Sequence, residues 1–297
     1  MNSKRTIFAF FLSSLLAGCG GSNQHVGGNG GSAGTGGGGG GGTDTGGTGG
    51  NAGPLLPADA KIGTYIALGD SISDRGGTGP FFYDLLNADL AAKYPGLVYV
   101  HGAEQGAITD VFSDNQPSGA PLLRTQIDSL GSSYAGDVLV SITIGGNDLN
   151  AHSIAAITNT DADLRAELDA HLAAELGELA TPGRLGSGKV YIVLANIYDF
   201  TDGQGDFATV MCGPGVNISA AAVATGFGNW NTVLATNIAK VGGALYDMHA
   251  DFTGHGYNNP DTTQLWYDPA SCIHPNTKGH DAIRRGIYRV LTGESLQ

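Results

Sequence analysis

Five short apolar runs, rich in β-branched residues, alternate with longer amphipathic segments from residue 54 to the C-terminus. The runs are continuously apolar, which is typical of strands that are buried on both faces of a parallel sheet. The predicted strands are 64–69, 97–101, 137–145, 189–196 and 243–248. The predicted helices are 79–93, 120–131, 161–180, 219–241 and 277–292. Such alternation predicts an α/β fold in which helices cover both faces of the sheet.

The first part of the chain has a different pattern. Lys4 and Arg5 precede an apolar run that ends at Gly18. This run is short for a transmembrane helix but has the length of the apolar part of a secretory signal peptide. We therefore predict a signal peptide over residues 1–18.

The signal peptide ends in Leu-Ala-Gly followed by Cys19, which resembles the lipobox of bacterial lipoproteins. The resemblance implies cleavage before Cys19 and attachment of lipid to it; the alternative is a free cysteine within an ordinary signal peptide. Residues 20–53 are almost entirely Gly, Ser, Thr and Asn, a composition typical of a flexible tether. We therefore expect a lipidated Cys19 and tether over 19–53, followed by one folded domain over 54–297.

The net charge of the chain is −13, and Lys and Arg form no cluster. This excludes a protein that binds the phosphate backbone of nucleic acids, which requires clustered basic side chains. Together with the lipobox, the acidic composition predicts a protein of the bacterial cell envelope that is held at a membrane by its lipid anchor. We expect the outer membrane or cell surface rather than a soluble secreted form. The sequence does not predict an oligomeric state.

Residues with useful chemistry follow the predicted strands, at the edge where ligands bind in parallel sheets. Ser71 follows the first strand, Gly106 the second and Asn147 the third, while His274 precedes the last helix. A serine hydroxyl is a weak nucleophile without a base, and an imidazole can act as that base. Backbone N–H groups and a side-chain amide can stabilise an oxyanion.

This ordered set resembles the SGNH hydrolases, also called the GDSL esterase/lipase family. The matching segments are Gly-Asp-Ser-Ile-Ser at 69–73, Gly106, Gly-Gly-Asn-Asp at 145–148, and His-Pro-Asn at 274–276 with Gly-His at 279–280. The resemblance implies a three-layer α/β/α, flavodoxin-like fold with a five-stranded parallel sheet. It also implies ester hydrolysis without a metal or cofactor, through an acyl-enzyme on Ser71 with His274 as base. The implied oxyanion donors are the N–H groups of Ser71 and Gly106 and the side chain of Asn147.

One position departs from the family pattern. The aspartate that orients the histidine usually stands three residues before it, but residue 271 is a serine. Asp268, six residues before His274, is our candidate for the third member of a catalytic triad. The alternative is a Ser-His dyad in which a backbone carbonyl or Ser271 holds the imidazole.

The remaining candidates are assigned structural roles. We expect Cys212 and Cys272 to form a disulfide, since they are the two cysteines of an exported domain; two buried thiols are the alternative. Asp70 and Asp148 should hydrogen-bond loops, His280 should pack in the core, and the histidines at 152 and 171 should be exposed. The acidic and histidine-containing run 247–261 matches no metal motif and is interpreted as a surface loop.

The predicted function is that of a serine esterase acting on small or medium acyl esters or on acetylated glycans. A lipase or thioesterase of the same fold is the alternative within enzymes, and a tethered, non-catalytic binding lipoprotein is the alternative outside them. The segments 149–160 and 199–230 should be variable loops around the cleft. Their apolar residues suit an acyl pocket, although the aromatic ones among them suit the core equally well.

Overall fold

The computed structural model describes residues 53–206 and 217–296. The predicted signal peptide, Cys19, almost all of the tether and Cys212 lie outside the described residues. The disulfide between Cys212 and Cys272 therefore stays a prediction.

The centre of the molecule is a five-stranded parallel sheet with the strand order β2-β1-β3-β4-β5. This confirms the predicted fold class, and each strand overlaps an apolar run of the sequence. The strands are β1 (Ile62–Gly69), β2 (Val98–His101), β3 (Asp137–Thr143), β4 (Val190–Ala195) and β5 (Ala244–Tyr246).

Helices cover both faces of the sheet. They are α1 (Phe82–Lys93), α2 (Leu123–Asp128), α3 (Gly146–Ala151), α4 (Ser153–Ile157), α5 (Ala162–Ala180), α6 (Ala220–Lys240), α7 (Met248–Phe252) and α8 (Thr277–Thr292). The five predicted helices correspond to α1, α2, α5, α6 and α8. The short helices α3, α4 and α7 correct the interpretation of 149–160 and 247–261 as loops.

The side chains of each strand alternate between two buried layers, one on each face. On β1, Ile66 and Leu68 contact the layer formed by α2, α5 and α6, whereas Tyr65 and Ala67 contact the layer formed by α1 and α8. All four side chains are buried. This two-sided burial explains why the strands are continuously apolar in sequence.

Glycines at the ends of β1 and β3 let the chain turn at the carboxyl edge of the sheet. Gly69 has a φ of +120°, and a Cβ atom there would lie 1.9 Å from the backbone oxygen of Thr143. Gly145 has a φ of +99° and precedes α3. Only glycine adopts such conformations without strain, so both glycines are required for the turns that carry Ser71 and Asn147.

In the part of the chain that the structure describes, no helix combines the length and apolar character needed to cross a membrane.

Candidate active site

Ser71 begins a short 3₁₀ turn, Ser71–Ser73, directly after β1. The turn is capped by Asp70, whose carboxylate Oδ1 accepts a hydrogen bond from Ile72 N at 3.0 Å. Ser71 is buried, and its backbone carbonyl accepts hydrogen bonds from Asp74 N and Gly76 N. The strand end and the turn thus hold the Ser71 hydroxyl in one place.

His274 lies three residues before α8, and Nε2 of its imidazole is 2.8 Å from Ser71 Oγ. The two residues are 203 positions apart in sequence and are both buried. Gly76 packs against the imidazole so closely that a Cβ atom there would lie 2.5 Å from His274 Cδ2. The structure therefore brings together the predicted nucleophile and the predicted base.

Burial lowers the pKa of His274, and the nearby carboxylate of Asp268 raises it in part. The net shift is downward from the ordinary value of 6.5. The imidazole is therefore neutral at neutral pH, which is the state in which it can accept a proton from Ser71.

Asp268 does not form the hydrogen bond of a catalytic triad. Its Oδ2 accepts a hydrogen bond from Thr78 Oγ1 at 2.8 Å, and its Oδ1 accepts one from Ala270 N at 2.9 Å. Its own N–H donates to the backbone oxygen of His274 at 2.8 Å. Among the described residues, His274 Nδ1 has no hydrogen-bond partner. Asp268 thus supports the loop of His274 and acts on the imidazole through its charge.

The predicted oxyanion donors follow β1, β2 and β3 at the same edge of the sheet. The N–H groups of Ser71 and Gly106 have no hydrogen-bond acceptor within the described parts of the chain. Gly106 has a φ of +77°. Asn147 Nδ2 donates to the backbone oxygen of Ala107 at 2.9 Å, which joins the loop of Gly106 to α3. Unpaired N–H groups of this kind can stabilise an oxyanion.

Asp70, directly before Ser71, and Asp148, directly after Asn147, hydrogen-bond neighbouring segments, as the sequence predicts. Asp148 Oδ1 accepts hydrogen bonds from Thr109 N at 3.0 Å and from Thr109 Oγ1 at 2.7 Å. Asp70 Oδ1 also accepts one from Thr143 Oγ1 at 2.9 Å. Both carboxyl groups are buried, and burial raises the pKa of Asp70 to about 7. These side chains connect the loops of the site to each other.

The histidines outside the site have structural contacts. His280 is buried, as predicted, and its Nε2 lies 2.9 Å from the backbone oxygen of Gly76. The expectation that His152 is exposed is wrong, because it is only 5% exposed and packs against Phe112 and Trp230. His171 is half-buried. Among the described residues, no group of three or more His, Cys, Asp or Glu side chains is arranged to hold a metal ion.

A pocket with a volume of about 180 Å³ opens beside Ser71 and His274. Most of its lining is apolar and comes from α3, α4, α6 and the segment after β4. Within the predicted cleft segments, Phe227 lines this pocket, whereas Trp230 is fully buried in the core and donates a hydrogen bond to Asp161. Phe207 and Met211 lie outside the described residues.

Comparison with known proteins gives a family match and several similar folds. A family model described as GDSL-like Lipase/Acylhydrolase matches residues 65–287. None of the curated proteins matches the chain.

Among solved structures, the chain is similar to a catalytic mutant of an acetylxylan esterase from Geobacillus stearothermophilus. The two are 18% identical, the match covers 80% of this chain and 98% of that one, and the TM-score is 0.50. It is also similar to the extracellular lipase from Streptomyces rimosus, with 24% identity, coverage of 76% and 99%, and a TM-score of 0.49. Phospholipase A1 from Streptomyces albidoflavus has 24% identity, coverage of 76% and 98%, and a TM-score of 0.46.

Proposed function

Because the chain belongs to the GDSL-like lipase and acylhydrolase family and is a carboxylic ester hydrolase, we propose that it is a serine esterase with Ser71 as nucleophile. Its substrates are small or medium acyl esters, with acetylated glycans as the second class. The observation that supports this proposal best is the distance of 2.8 Å between Ser71 Oγ and His274 Nε2.

In the proposed mechanism, Ser71 Oγ attacks the ester carbonyl while His274 Nε2 accepts the hydroxyl proton. The negative charge that develops on the carbonyl oxygen is stabilised by the N–H groups of Ser71 and Gly106 and by the side chain of Asn147. His274 then donates its proton to the departing alcohol, which leaves the acyl group on Ser71. Water, activated by the same imidazole, hydrolyses this acyl-enzyme and releases the acid.

Labelling with a fluorophosphonate tests the assignment of the nucleophile. We expect the wild-type protein to be labelled and to hydrolyse p-nitrophenyl esters, and Ser71→Ala to do neither. Ser73→Ala is the matched control, since Ser73 belongs to the same turn but is fully buried and bound to Thr143 Oγ1 at 2.8 Å. Labelling of Ser71→Ala at the wild-type rate would exclude Ser71 as the nucleophile.

We also propose that the enzyme is held at a membrane of the cell envelope by lipid on Cys19. The support for this is the sequence alone: the apolar run, the lipobox and the glycine-rich segment that follows. Expressed in a bacterium, the full chain should partition into the detergent phase of Triton X-114, and Cys19→Ser should partition into the aqueous phase. Equal partitioning of the two proteins would contradict the lipid anchor.

A further inference from the structure

The apolar pocket beside Ser71 and His274 extends along the sheet edge towards the end of β4. Its apolar side chains include Leu149, Ile157, Ile197, Val223 and Phe227. Gly226 on α6 completes the wall formed by Val223 and Phe227. The pocket is continuous with the two residues that carry the proposed reaction, so its occupant is part of the substrate.

We propose that this pocket binds the acyl chain of the ester and selects chains of about six to eight carbons, by comparison of its volume with a protein cavity that binds benzene. The proposal rests on the serine esterase function proposed above and names its substrate class. It favours medium-chain esters over acetylated glycans.

The size of the pocket supports this range. A cavity of about 150 Å³ lined by Leu, Ile and Phe binds benzene, a molecule of six carbons. The pocket here has a volume of about 180 Å³ and a lining that is mainly apolar. An acetyl group would leave most of this volume unfilled, whereas a chain much longer than eight carbons would exceed it.

The lining supports an acyl chain rather than a sugar. Each methylene that moves from water into an apolar site favours binding by roughly fourfold. A sugar ring carries hydroxyl groups, and burying a hydroxyl without a hydrogen-bond partner is unfavourable. Asn150 and Ser153 also line the pocket, but most of its surface is apolar, so a sugar there would leave most of its hydroxyls without a partner.

The order of the reaction steps supports the acyl chain rather than the alcohol. The alcohol must depart before water can attack the acyl-enzyme, while the acyl group stays bonded to Ser71. A partly enclosed pocket is therefore better suited to the group that stays than to the group that leaves.

Gly226 is the position at which the depth of the pocket is most easily changed. It is buried against Ala156 of α4, and a Cβ atom at Gly226 would lie 3.5 Å from the Ala156 side chain, an ordinary contact. A methyl group therefore fits there, at a position that lines the pocket. Gly228, two residues further along α6, is exposed, and a Cβ atom there would meet no neighbouring group within 4 Å.

The test is kcat/KM for p-nitrophenyl esters of increasing acyl length, measured with the full chain. We expect a rise of at least a hundredfold from acetate to the hexanoate and octanoate esters and a fall beyond them. Gly226→Ala, which adds one methyl group to the lining, should lower the ratio of octanoate to acetate activity about fourfold, and Gly228→Ala should keep the wild-type ratio. Phe227→Ala, a second variant that enlarges the pocket, should move the optimum to longer chains.

Two outcomes would overturn the acyl-chain proposal and leave the esterase function intact. One is an optimum at acetate, or faster release of acetate from acetylated xylan than of octanoate from its ester. The other is a dependence on alcohol length, with hexyl acetate preferred over methyl octanoate. If no ester were hydrolysed and a fluorophosphonate did not label Ser71, the esterase function itself would fail, and this proposal with it.

Discussion

Asp268 acts on His274 through charge and through the loop backbone rather than through a hydrogen bond to the imidazole. Its carboxylate oxygens accept hydrogen bonds from Thr78 and Ala270. The sequence offered Asp268 as the nearest carboxylate before His274. Proximity in sequence could not show where that carboxylate points, because Asp268 and His274 are joined by an irregular loop in which Cys272 has a φ of +68°.

Asp268→Asn should therefore reduce kcat by less than about tenfold, far from the roughly 10⁴-fold loss seen when an orienting carboxylate is removed from a triad. Because the Asp268 carboxylate raises the pKa of His274, its removal should move the acid limb of the kcat/KM profile to lower pH. The measurement is a pH–rate profile of both proteins with one activated ester. A loss near 10⁴-fold would show that Asp268 is the third member of a triad.

Asp148 is a positioning residue for the loop that carries Gly106. It binds Thr109 through both the backbone N–H and the hydroxyl, three residues after Gly106. Asn147, its neighbour, binds the backbone oxygen of Ala107 in the same loop. Displacement of this loop would move one oxyanion donor, and complete loss of such a donor costs about 10²–10³ in kcat.

Thr109→Val removes the hydroxyl from this contact at nearly constant volume, and it should lower kcat about tenfold with little change in KM. Thr109→Ser keeps the hydroxyl and should retain the wild-type kcat. Steady-state kinetics and the Ki of a boronic acid that mimics the tetrahedral intermediate provide the measurement. For Thr109→Val we expect kcat and the affinity for the inhibitor to fall in parallel. A change in KM alone would contradict a role of Thr109 in positioning the oxyanion site.

At the scale of the elements, the long helices could be predicted from the sequence and the short ones could not. The bounds of α8 match the prediction, and α5 and α6 match within one residue at each end. Their apolar residues repeat over several turns, as in the buried stripe Leu168, Leu172, Leu176 and Leu179. Helices α3 and α4 have six and five residues, too few for a periodic pattern and too few for stability outside the fold.

Helix α5 also carries a buried acid, Glu175, whose strongest interaction with a charged group is with Asp148 of α3. Neither of its carboxyl oxygens has a hydrogen-bond partner among the described residues. Its pKa is raised from 4.5 to about 9, first by burial and then by the carboxylates of Asp148 and Asp110, while Arg124 opposes the shift. Glu175 is therefore protonated in the folded protein at neutral pH.

Between pH 4.5 and about 9, the folded state keeps a proton on Glu175 that the unfolded chain has already lost. The free energy of unfolding therefore falls progressively as the pH rises through that window. Glu175→Gln removes the effect, and its free energy of unfolding relative to wild type should increase with pH. Urea unfolding at pH 5, 7 and 8.5 measures this trend.

The matched control is Glu167→Gln on the same helix. Two hydrogen bonds from Ser113 lower the pKa of Glu167, so this variant should lose stability relative to wild type once the pH is above about 4.5. A constant difference between Glu175→Gln and wild type across the pH range would show that Glu175 is ionised in the folded state.

At the scale of the whole molecule, the parallel sheet assembles the site. The segments that follow β1, β2 and β3 supply Ser71, Gly106 and Asn147, and the segment before α8 brings His274 to Ser71. The sequence was sufficient to predict that these residues lie at one edge, because the carboxyl ends of parallel strands all lie at the same edge of the sheet. The shape and size of the pocket could not be predicted, because its walls combine α3, α4 and α6. The packing of these helices depends on contacts between distant parts of the chain.

The burial of His152 was missed for the same reason. It stands between two short helices in a polar stretch of sequence, and only the fold brings Phe112 and Trp230 against its ring. Local pattern therefore predicts the nucleophile, the base and the layers of the fold, whereas the environment of a side chain depends on the complete three-dimensional packing.

The central claim, an acyl-enzyme on Ser71 formed with His274 as base, is tested most directly by trapping that intermediate. The protein is mixed with p-nitrophenyl octanoate, quenched in acid during turnover, digested and examined by mass spectrometry. We predict one octanoyl group on the peptide that contains Ser71, and none in Ser71→Ala. An octanoyl group on another residue, or turnover by Ser71→Ala at the wild-type rate, would contradict the claim.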